Sequence, residues 1–438
     1  MTAEIAIMNK EAVAIAADSA TTVSGEKGEK TFTSANKIFA LSKYEPVSIM
    51  VYGNANFMGI PWEAVIKIYR SEFGKRKFQT LKEYGDDFIS FLGKENRLFP
   101  ESEQNKYFLA NVYSYFALIK NEIEKEVETA IIEREKITES EIKGIIAKTI
   151  GGHYDGWQRA EVISSIPQNH ISDLKTKYGA IIEMAIKEVF QKLPIEETLS
   201  KQLTEIASSL FVKFPEALNP PFVSGVVIAG FGVSDIFPSL KSFFVEGVAN
   251  NQLKFKEHKY NQITLDNSAA IVPFAQSEMV TTFMWGVDPN YQQELDRFIA
   301  ELLQTYPHTI LENIEKLDSV ERTRLTEKLN SIGAQKLEEY KQRLGKYRRT
   351  TYIDPVIDVV AVLPKDELAA MAESLVNLTS FKRRVSMEKE TVGGPIDVAI
   401  ISKGDGLIWI KRKHYFAPEL NRQFFANYYR EEQNGGTK

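Results

Sequence analysis

Residues 1–22 read MTAEIAIMNKEAVAIAADSATT. Two apolar runs, 3–8 and 12–17, flank Asn9, Lys10 and Glu11, and Asp18 follows the second run. Short apolar runs separated by polar turn residues predict a β-hairpin. A turn centred on Lys10 pairs positions whose numbers sum to twenty. Ile5 then faces Ile15, and Ile7 faces Val13, on one side of the ribbon. On the other side Ala6 meets Ala14, Glu4 meets Ala16, and Thr2 meets Asp18. Opposed residues hold their Cβ atoms about 4.5–5.5 Å apart, so this register predicts a threonine beside a carboxylate at the open end. A one-residue slip breaks the arrangement.

Removal of Met1 before a small residue leaves Thr2 with a free α-amine next to its own hydroxyl. A threonine hydroxyl needs an adjacent base to become a nucleophile. The α-amine, with an ordinary pKa of about 7.7–8.0, is already partly neutral at pH 7. A lysine near 10.4 costs about 3.6 kcal/mol more to deprotonate, from a gap of roughly 2.6 units. The amine is therefore the better base. A lysine serves better as a positive charge that lowers the amine's pKa, with an aspartate to hold it. Lys37, opening the run KIFALS, is the candidate for that charge, and Asp18 for its holder. Acyl transfer also needs oxyanion donors, worth about 2.7–4 kcal/mol each. The segment VYGNAN offers the backbone N–H groups around Tyr52 and Gly53, where a strand ends before a helix. The bland alternative makes Asp18 a turn cap, Lys37 a solvated cation and Gly53 an ordinary turn.

Outward from the hairpin, KIFALS and VSIMVYG predict two more strands, and PWEAVIKIYRSEF predicts a helix with Pro61 in its first turn. Trp62, Val65, Ile66 and Tyr69 share one face. Residues 75–215 read as a helical insertion, with a capping box opening at Thr138. Strand signals return at 216–285, and helical periodicity follows over 286–350 as a second insertion. A last block, 351–415, carries PKDELAAMAESLVNLTSF and the strands PIDVAIIS and LIWIKRK, before a tail at 416–438. Residues 1–74, 216–285 and 351–415 are thus three parts of one core. Strands and helices are segregated rather than alternating, which predicts an α+β fold.

The 438 residues carry a net charge of −5, with 43% hydrophobic and 26% charged residues and no cysteine. Disulfides, thiolate metal sites and a cysteine nucleophile are excluded. The absence of a basic domain argues against nucleic acid as a partner. No apolar run approaches the length of a membrane span, so the chain reads as soluble and cytoplasmic. The segment GFGVSD at Gly230 lacks the third glycine of a dinucleotide-binding turn. The five histidines form no paired ligand spacing.

Together AIAADSATT, NKIFAL, MVYGNAN, VSGVVIAGFG and VGGPIDVAIISKGDG resemble segments of the proteasome β-subunit family of N-terminal-nucleophile hydrolases, in family order. The resemblance implies a four-layer αββα sandwich and a threonine-type peptidase or amidohydrolase. It implies catalytic roles for Thr2, Asp18 and Lys37, with oxyanion donors at Tyr52–Gly53. Ser277 or Ala275 falls where the family has a supporting serine, and Glu390, Val392 and Gly393 fall near its second acid and glycine pair. The family uses no metal or cofactor, acts on peptides or proteins, assembles as homo-oligomers and often works with an ATPase. Two other expectations stand beside it. One is a catalytically inactive scaffold or binding subunit of the same fold, and the other is an amidase acting on small amides.

Overall fold

The computed structural model describes residues 3–25, 28–94, 97–134, 136–214, 223–314, 318–387 and 392–426. Thr2, Glu390 and the end of the tail lie outside them. The chain opens with β1 (Ala3–Asn9), β2 (Ala12–Ala17), β3 (Thr21–Gly25), β4 (Gly28–Phe32), β5 (Ile38–Ala40) and β6 (Val47–Gly53). Two short strands follow, β7 (Asn56–Phe57) and β8 (Ile60–Pro61). Then come α1 (Trp62–Phe73), α2 (Leu81–Lys94), α3 (Glu101–Arg134), α4 (Glu139–Arg159), α5 (His170–Val189) and α6 (Glu197–Ser209). Strands resume as β9 (Ser224–Gly230), β10 (Ser239–Ala249), β11 (Gln252–Gln262) and β12 (Ala269–Ala275). The helices α7 (Glu278–Trp285), α8 (Pro289–Glu312), α9 (Ser319–Arg348), α10 (Asp354–Val360) and α11 (Lys365–Val385) precede β13 (Asp397–Ser402) and β14 (Gly406–Lys411).

Among the described residues all strand pairs are antiparallel; two five-stranded sheets, ordered β12-β1-β2-β13-β14 and β11-β10-β9-β6-β5, stand beside the two-stranded pairs β3-β4 and β7-β8. The α+β reading holds in that form. Met8, Val13, Ile15 and Ala399 of the first sheet pack against Ile38, Met50, Val227 and Leu240 of the second. The opposite face of the first sheet, including Ile5, Ile7 and Ile400, packs on Leu368, Ala372 and Leu375 of α11. The opposite face of the second sheet, including Ile49, Val51 and Ile228, packs on α1 and α2. Helices α3–α6 build a cluster of their own around Phe108, Ile150, Tyr178 and Leu203. No described helix is long and apolar enough to cross a membrane.

The local signals for α1 and α4 are realised. Pro61 precedes α1, and Trp62, Val65, Ile66 and Tyr69 are buried on one face. The Thr138 side chain accepts from the Glu141 N–H, and Glu141 reaches back to the Thr138 N–H. The Gly/Lys/Glu-rich separator SGEKGEK, residues 24–30, reads as a turn region between strands, but Thr21–Gly25 and Gly28–Phe32 pair as the β3–β4 hairpin. The β-prone Thr21, Thr22, Val23, Thr31 and Phe32 outweigh that turn composition. Gly230 and Gly232 lead from β9 into antiparallel β10, without the helix that a dinucleotide site requires.

The first hairpin departs from its expected register. Ala6 pairs with Ile15, Ile7 with Ala14 and Met8 with Val13, so paired numbers sum to twenty-one. The turn explains the shift. Asn9 Oδ1 accepts the N–H groups of Glu11 at 2.9 Å and Ala12 at 3.3 Å, leaving Lys10 and Glu11 as a two-residue loop. Asn9 Nδ2 donates to the carbonyls of Val360 and Leu363, which ties the turn to the end of α10. Every residue of both strands is buried, so hydrophobic alternation has no wet face from which to set the register. Ala3, rather than Thr2, therefore stands level with Asp18, whose N–H donates to the Ala3 carbonyl at 3.1 Å.

Candidate functional site

Asp18 ends the β2 run and turns its carboxylate into a closed cage of donors. Oδ1 accepts from Lys37 Nζ at 2.6 Å and from the Ala3 N–H at 3.1 Å. Oδ2 accepts from the N–H groups of Ala20 at 3.2 Å and Gly393 at 3.0 Å. The Asp18 side chain has no exposed surface, and that of Lys37 is 8% exposed. Charge-assisted hydrogen bonds of this length are the strong ones. Asp18 thus grips the backbone at the peptide that follows Thr2 and holds a cation beside it.

The supports come from three parts of the chain. The Lys37 carbonyl accepts the Val51 N–H at 3.0 Å, which fixes the lysine against β6, the strand that ends in Tyr52 and Gly53. Gly53 has a φ of +84°, and a Cβ there would lie 2.6 Å from the Val223 carbonyl oxygen. Both facts demand glycine. The Ser19 N–H donates to the Gly393 carbonyl at 3.1 Å, and the Ser19 hydroxyl donates to the Pro395 carbonyl. Gly394, at φ +78°, lies so close to Thr33 that a Cβ would stand 2.7 Å from its Cβ.

The structure brings Asp18, Lys37 and Gly393 into one network. Tyr52 sends its ring between the sheets, facing Gly225 across the β6–β9 pair and Phe274 at a centroid distance of 5.7 Å. Burial, and then Glu4, push its hydroxyl pKa well up. Val392 is buried in the cluster under α11, away from solvent. Ser277 heads α7, while Ala275, two residues earlier, is the residue paired with Ala3. Ala275 is non-glycine at φ +57°, a conformation that bends the chain away from the sheet there. Thr2 and Glu390 lie outside the described residues.

Sequence reasoning passed over Glu4 as a site residue. It lies on β1 between Ala17 and Phe274, is 2% exposed, and neither carboxyl oxygen has a hydrogen-bond partner among the described residues. Burial pushes its carboxyl well above the usual carboxylate range, with Lys37 opposing the shift and Asp18 adding to it. A charged residue inside an otherwise apolar run was the signal that could have found it. Among the described residues no group of three or more His, Asp or Glu side chains is placed to hold a metal ion.

No family model matches the chain, and no curated protein matches it. Solved structures similar to it include an Anbu (Gly-1) mutant from Hyphomicrobium sp. strain MC1, at 8% identity, covering 100% of this chain and 99% of that one. Anbu (ancestral beta-subunit) from Yersinia bercovieri is another, at 10% identity and 99% coverage of both chains. Both have a TM-score of 0.27, too low to establish a shared fold. Membership in the proteasome β-subunit family, which the motifs implied, is therefore not upheld. Those motifs are short, and each meets a local demand that many folds share: Ala and Ile between two packed faces, and glycine where the backbone turns or closes on a neighbour.

Proposed function

We propose that this chain is an N-terminal threonine hydrolase that cleaves peptide or similar amide bonds through an ester on Thr2. One observation carries the reading: the buried Asp18 carboxylate holds Lys37 Nζ at 2.6 Å and the Ala3 N–H at 3.1 Å. It fixes a cation next to the peptide that follows the nucleophile. The three apolar clusters, one between the sheets and one under each outer helical layer, support a four-layer αββα sandwich as its frame. Residues 75–215 and 286–350 are then insertions into that frame.

In this mechanism Met1 is removed and the Thr2 amine takes the proton from Oγ as Oγ bonds to the substrate carbonyl carbon. Backbone N–H groups around Tyr52–Gly53 receive the developing oxyanion. The C–N bond breaks, the amine proton passes to the leaving nitrogen, and an ester remains on Thr2. Water then gives a proton to the amine and its oxygen to the carbonyl carbon, releasing the acid and restoring Oγ–H. Lys37 supplies the positive charge that lowers the amine's pKa, and Asp18 positions it. Gly393 supports Asp18, and Ser277 and Glu390 are further candidate supports. The chemistry is complete without a metal or cofactor. The expected substrate is a peptide or protein, the expected state a homo-oligomer, and a cytoplasmic setting suits a chain without cysteine.

Intact mass before and after treatment with a β-lactone tests this reading. Loss of Met1 and a single acyl group on Thr2, absent in Thr2→Ala, is the expected result. Retained Met1, or a free but inert Thr2, overturns it. That outcome selects the second reading, a non-catalytic scaffold or binding subunit. The outward apolar side chains of α8, Tyr291, Phe298, Leu302 and Tyr306, are the feature that favours it.

A further inference from the structure

The helices α8 and α9, of 24 and 30 residues, form a hairpin. Among the described residues, neither helix contributes to any of the four apolar clusters. Together they bury Gln292, Pro307, Leu311 and Gly333, and no other described residue. Helices in proteins draw most of their stability from packing an apolar face, so two helices this long with so little buried lack a partner. Their own seam uses one face of each. Ala300 and Leu303 of α8 meet Gly333 and Leu337 of α9 there. A Cβ on Gly333 would lie 2.9 Å from the Leu303 carbonyl oxygen, and the Tyr340 hydroxyl donates to Asp296 at 3.2 Å. Both contacts join residues whose numbers sum to 636, so the helices are antiparallel and their register is fixed.

A second apolar face remains. Tyr291, Leu295, Phe298, Leu302 and Tyr306 form a stripe on α8 about a third of a turn from the seam. On α9, Leu325, Leu329 and Ile332 lie about a quarter of a turn from it. Because the helices are antiparallel and right-handed, these two displacements bring both stripes to one side of the hairpin. The register sets Ile332, Leu329 and Leu325 beside Leu302, Tyr306 and Ile310. Tyr291, Phe298 and Tyr306 are 64%, 58% and 59% exposed. Aromatic rings of about 150–250 Å² each thus leave roughly 350 Å² uncovered before the aliphatic residues are added. The largest apolar patch on a typical monomer is about 300–600 Å² and is often an interaction site.

Charge says what covers it. Glu294 and Glu301 edge the stripe on the side of α8 away from α9. On α9, Lys336 and Arg343 continue the line of Leu325, Leu329 and Ile332. The register puts Lys336 level with Ala300, one residue from Glu301, and Arg343 level with Gln293, one residue from Glu294. A second hairpin laid on this face, with α9 over α8 and α8 over α9, therefore brings each basic residue to an acidic edge at its own height. With α8 over α8 the two acidic edges would coincide. Glu294 now pairs with Arg297, and Lys336 with Glu339, each an exposed neighbour in its own helix. Exposed pairs of this kind are weak and can exchange partners.

We propose that α8 and α9 are half of a four-helix bundle, completed by the same two helices of a second copy of this chain. A two-fold axis runs along the bundle, and every neighbouring pair of helices is antiparallel. The proposal does not rest on the hydrolase reading.

Sedimentation equilibrium of the full chain, across a range of concentrations, tests it. Wild type is expected to show a reversible twofold step in mass. Phe298→Glu with Tyr306→Glu is expected to weaken that step at least about tenfold, with the far-UV circular dichroism of a folded protein. Two charge-swapped proteins guard against a variant that fails to fold. One carries Glu294→Lys and Glu301→Lys, and the other Lys336→Glu and Arg343→Glu. Each alone is expected to associate more weakly than wild type, and an equimolar mixture is expected to recover the step as a heterodimer. Wild type without the step overturns the proposal, and so does a step that all these substitutions leave intact. Swapped proteins that weaken alone and do not recover when mixed overturn the pairing of α8 with the second copy's α9.

Discussion

Asp18 accepts one ammonium, from Lys37, and three backbone N–H groups. The two ends of this ion pair therefore differ in what their loss costs. Asp18→Ala takes the carboxylate from a buried ammonium, an effect of about 3–5 kcal/mol, and removes the acceptor of three N–H groups as well. Lys37→Met leaves the carboxylate with the N–H groups of Ala3, Ala20 and Gly393 and keeps the volume of the side chain. Urea denaturation should rank Asp18→Ala as clearly less stable than Lys37→Met. The reverse order would sink the view that backbone donors share in holding Asp18. At this scale the pair was legible in the sequence, because an aspartate closing an alanine-rich strand and a lysine opening another suggest mutual need. Glu4 was not legible as a site residue, since its importance depends on which residues the second sheet brings against it.

Element by element, legibility followed whether the information was local. The capping box at Thr138 and the buried face of α1 are written within one turn or two of helix. The register of the first hairpin is not, because both faces of its strands are covered and Asn9 makes the decision through its side chain. A similar non-local fit joins β6 to β9. Tyr52 is paired with Gly225, and a Cβ on residue 225 would lie 2.0 Å from the Tyr52 ring. Gly225→Ala should therefore cost about 1–3 kcal/mol through overpacking. In a Tyr52→Ala background the same change should cost at least about 1 kcal/mol less, a coupling that a double-mutant cycle measures directly. Equal costs in the two backgrounds would mean that something other than the tyrosine ring keeps position 225 free of a side chain.

Across the whole molecule, the central strand pairings β1–β12 and β2–β13 join segments hundreds of residues apart, and no periodicity within either segment announces them. The junction of the helical cluster with the second sheet is equally hidden. Asn250 and Asn251, both at positive φ, form the two-residue turn between β10 and β11. Gln104 of α3 bonds Asn251 twice: its Nε2 donates to Asn251 Oδ1 at 2.9 Å, and its Oε1 accepts the Asn251 backbone N–H at 2.7 Å. The Tyr107 ring covers Gly247, where a Cβ would stand 2.3 Å from the ring. Beside it, Glu246 and Lys254 make an ion contact of 2.5 Å at 3% side-chain exposure each, and Lys254 also donates to the Leu210 carbonyl at the end of α6. Burial pushes the Glu246 carboxyl up and the Lys254 ammonium down, so water's loss opposes both charges and each is held by the other. Glu246→Ala should then destabilise the protein by about 3–5 kcal/mol, because it strands Lys254. Glu246→Leu combined with Lys254→Met removes both charges and should be more stable than Glu246→Ala alone, despite carrying one more substitution. Urea midpoints for the three proteins decide the matter. A double variant as unstable as the single, or worse, would show that the Lys254 bond to Leu210, rather than its pairing with Glu246, joins the helices to the sheet.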